Sequence, residues 1–314
     1  MSEPCRKFIQ GWPLCLTAIL AVCAAAPSAH AALAEDVSQF LTDFDRLGSV
    51  RTEIQGDRDA MAAHLQNESE LGKDVRHFFA DRAEAHAVRA LKAVDRKQMR
   101  ITLNYKPAKL TKPVKSAGNL AEDVQRYLSA YDGWIAAQAL VASDLVSMRG
   151  AVTSNGNALE TATKSFFDHS RQRLQNRVQW QSDVRAMKKD VSFKGTGKPA
   201  PPPGSTLNAH VTEFLSDRAT WEALGLQLDA DRNNLRSALS GGDLTAAVNK
   251  FLITRRARFV KGGELALDRM AMRKDVSSRD RLKERKANAA VGAKDLDSDE
   301  EDSTLEESSD GSGE

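Results

Sequence analysis

The chain has 314 residues, with 45 Lys and Arg against 43 Asp and Glu, 6% aromatic residues and only three cysteines. Cys5, Cys15 and Cys23 all lie in the first 31 residues, so an exported chain cleaved behind them has no disulfide and no thiol chemistry. The net charge of +2 conceals an asymmetry: from Asp295 to Glu314 there are acids and no Lys or Arg, which leaves the body distinctly basic.

Residues 1–31 read as a secretory signal. Arg6 and Lys7 form the positive start, Leu14 to Ala26 an apolar run of about 13 residues, and Ala29-His30-Ala31 a cleavage site, with cleavage after Ala31. That run is short of the roughly 20 residues a spanning helix needs. The expected location is secreted or periplasmic.

The body repeats one phrase. AEDVSQFLTDFDRL (34–47), AEDVQRYLSAYDGW (121–134) and NAHVTEFLSDRATW (208–221) align at a spacing of 87 residues. Val37, Val124 and Val211 correspond, as do Phe40, Tyr127 and Phe214, then Ile54, Val141 and Leu228. These positions step by three, four or seven residues, the helical period of a coiled-coil-like seam. Arg51, Gln138 and Gly225 interrupt it at one depth, and Arg58, Arg218 and Arg232 intrude at seam positions. Unpaired charge is costly to bury, so those faces are expected to meet water or acids from elsewhere. The second copy has only Gln138 as a defect. It is expected to be the central element, with Gln138 fixing register.

Turn residues come after each first helix at 66–70, 153–157 and 240–243, with Asn157 and Asp243 placed to cap the second helix. Second helices then carry Phe78, Phe166 and Phe251, succeeded by Asp95, Asp183 and Asp268 and by Met99, Met187 and Met272. The expected fold is all-α. It comprises three tandem long antiparallel helical hairpins at 32–103, 120–191 and 207–290, and a disordered acidic tail at 291–314. Linkers at 104–119 (Lys/Pro) and 192–206 (Pro/Gly/Lys) are long enough to run the length of a hairpin, which leaves the direction of successive hairpins open.

The repeated acids Asp57, Asp144 and Asp231 could ring a cation if the units packed symmetrically; the favoured reading is pairing with Arg or Lys across each hairpin, and likewise for Asp95, Asp183 and Asp268. The histidines at 64, 77, 86, 169 and 210 do not recur at equivalent positions and form no zinc motif. No metal and no cofactor are expected. Trp134, Trp180 and Trp221 are expected to pack in cores, and the Gly262-Gly263 pair reads as a helix flaw. Lys106, Lys109, Lys112 and Lys115 fall every third residue in the first linker. With Arg255, Arg256, Arg258, Arg281, Lys283, Arg285 and Lys286 they could bind an anionic surface such as lipid or cell-wall polymer, with no nucleic acid expected. The expected role is a non-enzymatic scaffold or interaction protein, with an unidentified protein partner or a second copy of itself as the occupant of its helical faces.

Overall fold

The computed structural model describes residues 29–116, 118–153 and 157–284 of the chain; the side chains of Ala29 and of residues 278–284 fall outside that description. Of the expected signal, only Ala29–Ala31 are described, and they open the first helix. The acidic tail at 291–314 lies outside the described residues.

Among the described residues there are six helices and no strand. They are α1 (Ala29–Ala63), α2 (Glu68–Thr102), α3 (Leu120–Val152), α4 (Asn157–Asp190), α5 (Leu207–Leu239) and α6 (Leu244–Glu284). At about 1.5 Å per residue each is about 50 Å or longer. Consecutive helices pack along their length as α1·α2, α3·α4 and α5·α6. Side-chain caps fix where they start. Asn67 accepts from Glu70 N, Asn119 from Ala121 N and Glu122 N, Thr206 from Ala209 N, and Asp243 from Ala246 N. Two expectations at these turns are corrected. Asn67 caps α2, which already starts at Glu68, and Asn157 is the first residue of α4 rather than its cap.

Three apolar cores join the hairpins head to tail, and the composition of each shows the direction. One buries Val37, Phe40 and Met99 from the open end of hairpin 1 (α1–α2) against Leu145, Met148, Phe166 and Phe167 from the turn end of hairpin 2 (α3–α4). The next buries Val124, Tyr127 and Met187 of hairpin 2 against Leu228, Leu235, Val248 and Phe251 of hairpin 3 (α5–α6). The last buries Val211, Phe214 and Met272 of hairpin 3 against Ile54, Met61, Val75 and Phe78 of hairpin 1. The connections therefore close on themselves. Every hairpin lends its open end to one neighbour and its turn end to the other.

Each junction is centred on one aromatic pair. Phe40 meets Phe166 with ring centroids 5.4 Å apart, Tyr127 meets Phe251 at 5.1 Å, and Phe214 meets Phe78 at 5.4 Å. Tilted contacts of this kind add about 0.5–1.5 kcal/mol beyond burial. No hairpin is central, which overturns the special place given to hairpin 2. Gln138 and Arg51 are exposed, so Gln138 fixes no register there. The seam is interrupted at that depth because it falls between the two junctions of each first helix, where water reaches it.

The linkers act as straps, and they set the head-to-tail order. Both start the same way: Asn104 and Ser192 take positive φ (48° and 53°) at the ends of α2 and α4. The next residue is then pinned back, with Tyr105 N bonding Arg100 O and Phe193 N bonding Lys188 O. Strap 1 lies along α4. Arg171 donates to the carbonyls of Ala108 (2.7 Å) and Lys109 (2.6 Å). Gln175 accepts from Thr111 N (2.8 Å) and donates to Thr111 O (3.0 Å). Gln179 does the same at Val114 (2.8 and 3.4 Å). One side chain per helical turn thus holds one strap residue in three. Strap 2 lies along α6, where Arg256 donates to Gly197 O at 2.7 Å and Glu264 accepts from Ala200 N at 3.3 Å. Gly263 is no flaw: α6 runs through it unbroken, and a Cβ there would sit 2.4 Å from Pro199 Cγ.

Candidate interaction surfaces and the junction cavity

The repeated acids are engaged within their own hairpins, each facing the same position of its second helix. His169 Nδ1 is 2.7 Å from Asp144 Oδ2. Thr254 donates to Asp231 at 2.6 Å, and Lys250 is 3.7 Å from the same carboxylate. Asp57 faces Asp81; burial and then that second carboxylate raise its pKa to about 7. The three therefore form no common ring. The Arg or Lys partner expected across each hairpin appears only for Asp231, while a histidine and a second acid take that place in the other two.

The second set of acids divides in the same manner. Asp183 is buried with Arg126 Nε 3.4 Å away and Gln179 Nε2 at 3.0 Å, as the pairing reading expects. Asp95 faces Asp43, and burial, then that second carboxylate, raises it to about 6. Asp268 is 1% exposed, and neither carboxylate oxygen has a hydrogen-bond partner. Burial, then the charges of Asp217 and Glu213, push it up to about 7. Among the described residues no group of three or more His, Cys, Asp or Glu is arranged to hold a metal ion.

The junction between hairpins 2 and 3 contains a cavity of about 130 Å³ lined by Tyr131, Trp134, Trp180, Gly225, Asp229, Arg232 and Arg258. Arg232 is the seam intruder of the third copy. It is buried, and its partner from elsewhere is a phenol: its Nε donates to Tyr127 Oη at 2.9 Å, and Nη1 reaches Asp229 at 2.5 Å. Its guanidinium carbon lies 3.8 Å from the Tyr131 ring centroid. Burial pushes the Tyr127 phenol above its ordinary range. Trp180 packs in the core as expected, at 4% exposed, but its indole N–H has no hydrogen-bond partner. Trp134 and Trp221 are only half-buried, at the edges of the cores that join hairpins 2 and 3 and hairpins 3 and 1; Arg258 covers Trp221 at 4.0 Å. The cavity is rich in donors and walled by aromatic rings, a setting that suits a small anion.

The expected anion-binding residues separate into two groups. Lys106, Lys109, Lys112 and Lys115 are all exposed. Three of them directly succeed or coincide with strap residues bonded to α4, so they form a held row rather than a loose chain. Arg255, Arg256 and Arg258 are half-buried and lie over Trp180 (5.7 Å), Phe259 (5.0 Å) and Trp221 (4.0 Å) respectively. The side chains of Arg281 and Lys283, and residues Arg285 and Lys286, lie outside the described region.

One surface escaped the sequence reading. On α3, Ile135 (47% exposed), Ala139, Ala142, Val146 (67% exposed) and Gly150 form an outward strip at helical spacing, flanked by Ala136 and Leu140. Between Asp132 and Arg149 the only ionisable residue on α3 is the buried Asp144. Neither face of residues 133–148 carries exposed charge, and α3 is, among the described residues, long and apolar enough to cross a membrane by length and composition. The counterparts of the strip on α1 carry Glu53, Asp59 and Arg58 nearby, and those on α5 carry Glu222 and Asn233. The signal is a stretch with one ionisable residue, GWIAAQALVASDLVSM at 133–148, but it resembles a hairpin core until the buried face is subtracted.

The chain matches no protein-family model, no curated protein and no solved structure.

Proposed function

We propose that the chain is a non-enzymatic interaction scaffold of the cell envelope or exterior, built from three copies of one helical hairpin, that docks a protein on the outer face of α3. The observation that carries this reading is the charge-free exposed strip Ile135, Ala139, Ala142, Val146 and Gly150. Apolar faces of this kind bury well against a partner and gain little from water. The test is the paired variant Ile135→Glu with Val146→Glu. Sedimentation of the purified chain and capture of partners from its native envelope or medium are compared with wild type. The reading expects the variant to lose the self-association or the capture that the wild type shows. Unchanged behaviour in both assays, with the fold intact by circular dichroism, contradicts it.

A second reading has its own observation. The four lysines of strap 1 are exposed and held in a row along α4, which suits an anionic polymer or lipid surface. Binding of this kind weakens steeply between low and physiological salt, whereas docking on α3 does not. Replacing the four lysines by glutamine separates the two.

A further inference from the structure

Two of the three hairpins carry a strap, and the third has an empty place for one. Strap 1 is held on α4 by Arg171, Gln175 and Gln179, with Val178 and Ser182 on the same helical face; strap 2 is held or bordered on α6 by Arg256, Val260, Gly263 and Glu264, with Leu267 on the same face. All ten are half-buried. At the same register α2 has Ala83, Ala87, Ala90, Leu91 and Val94. All five are exposed, Leu91 at 46% and Val94 at 63%. The strip has no polar side chain, whereas its counterparts include Arg171, Gln175, Gln179 and Ser182 on α4 and Arg256 and Glu264 on α6, and nothing among the described residues covers it.

We infer that the C-terminal segment 285–314 lies along this α2 strip as a third strap. Three observations select that occupant. The first is where the chain leaves the fold. Each existing strap departs from the open end of one hairpin, beside the turn end of the next, and runs down that neighbour's second helix. The open end of hairpin 3 packs on the turn end of hairpin 1 through Met272, Val276, Leu71 and Phe78, so chain leaving α6 starts at the head of α2. Helix α6 runs on past Ser277, the position where Asn104 and Ser192 turn out of their helices, to Glu284. The remaining 30 residues are about twice the length of either existing strap, enough to return and track α2.

The second is composition. After Arg285 and Lys286 the segment runs through small, mostly apolar residues, ANAAVGA at 287–293, which suit an Ala-lined groove, and beyond Lys294 it becomes acidic from Asp295. The later half of α2 is basic in the matching direction: Arg89, Lys92, Arg96, Lys97 and Arg100 stand against Asp95 alone. Burial, and then the neighbouring cations Arg96, Arg51 and Arg89, lower Lys92 to about 8, as expected for a site short of negative charge. The third concerns the competing segment of this chain. Residues before α1 would be the strap by chain order, but α1 is already helical at Ala29, where the corresponding Ser116 and Pro203 are still strap.

The test is the reactivity of a thiol placed in the strip. Leu91→Cys is made in the full chain with Cys5, Cys15 and Cys23 replaced by Ser, and maleimide labelling is compared with that of the same chain ending at Glu284. Labelling tracks the fraction of time the strip is bare, so the full chain should react about tenfold more slowly than the shortened one. A control thiol at exposed Leu174 of α4 should react equally in both. Equal rates at position 91 overturn the inference. So does slow labelling that persists without the tail, which assigns the strip to another segment, or that depends on protein concentration, which assigns it to a second copy. If the shortened chain fails to fold, a second thiol at Val291 in the full chain decides the matter. An intramolecular disulfide with position 91 supports the third strap, and its absence under oxidising conditions counts against it.

Discussion

The junction between hairpins 2 and 3 and the one that closes hairpin 3 on hairpin 1 use the same apolar plan and different polar chemistry. Both centre on an aromatic pair, Tyr127 with Phe251 and Phe214 with Phe78. Both place an arginine at the same depth, Arg232 in one and Arg58 in the other. In the first the tyrosine hydroxyl accepts from Arg232 Nε. In the second a phenylalanine stands where that hydroxyl would be, and Arg58 Nε is buried without a hydrogen-bond partner. Burial, and after it the charges of Arg218 and Arg82, lowers Arg58 to about 10. A surface ion pair shows the same pattern. Arg236 binds Asp132 at 2.5 Å, and Arg149 binds Asp45 at the equivalent place between hairpins 1 and 2. The closing junction has Ala62 and Ala219 there, so both partners are missing together. Apolar contacts thus carry the architecture at all three junctions, and polar contacts have diverged. The closing junction, the one that no linker bridges, is the least satisfied.

That difference can be broken most forcefully at the aromatic pairs. Phe40→Ala and Phe214→Ala each empty a fully buried site, and each should cost about 3–5 kcal/mol in denaturant unfolding. Similar losses at the two sites would mean that the closing junction is as firm as the linked one. A much smaller loss at Phe214 would mean that it is frayed. Next in size is Gly263→Val, which places a side chain where Pro199 lies and should lift strap 2 at a cost of about 1–3 kcal/mol. The hydroxyl comparison is subtler and runs in both directions. Tyr127→Phe strands Arg232 and should destabilise by about 1–3 kcal/mol, while Phe214→Tyr offers Arg58 the missing acceptor and should stabilise by about 0.5–1.5 kcal/mol.

The last test is a pH slope rather than a single loss. Asp268 has a raised pKa of about 7 in the folded chain, so the folded state holds its proton where the unfolded state has released it. Its contribution to stability is complete below the ordinary Asp range and is lost as pH rises towards 7. Asp268→Asn should flatten stability between about pH 4 and pH 7 and make the variant the more stable protein at pH 8. An unaltered slope would place the proton on another acid.

The sequence made the hairpins legible because burying one face of a helix writes a period into it. Val37, Phe40, Ile54 and Met61, with their counterparts 87 residues on, could be read directly. The direction of successive hairpins could not be read, since it depends on the straps, and these are held by Gln175, Gln179 and Arg171, polar residues that look solvated until their partner is in place. Pairwise junctions were hidden for a similar reason. Phe40 and Phe166 both read as seam residues of their own hairpins, and nothing in a heptad pattern says that each also faces the other. The α3 strip and the bare α2 strip are properties of what remains exposed after packing, so they appear only once the buried faces are known.

Three equivalent junctions close the hairpins into a ring, and on that closure everything else depends. The most direct measurement of it is a set of inter-label distances by pulsed electron resonance, with spin labels on cysteine pairs replacing 45/149, 132/236 and 219/62 in the chain freed of Cys5, Cys15 and Cys23. A closed ring predicts the same short, narrow distance for all three pairs in the monomer. A long or broad distance for 219/62, beside short ones for the other two, would show an open chain of hairpins and contradict it.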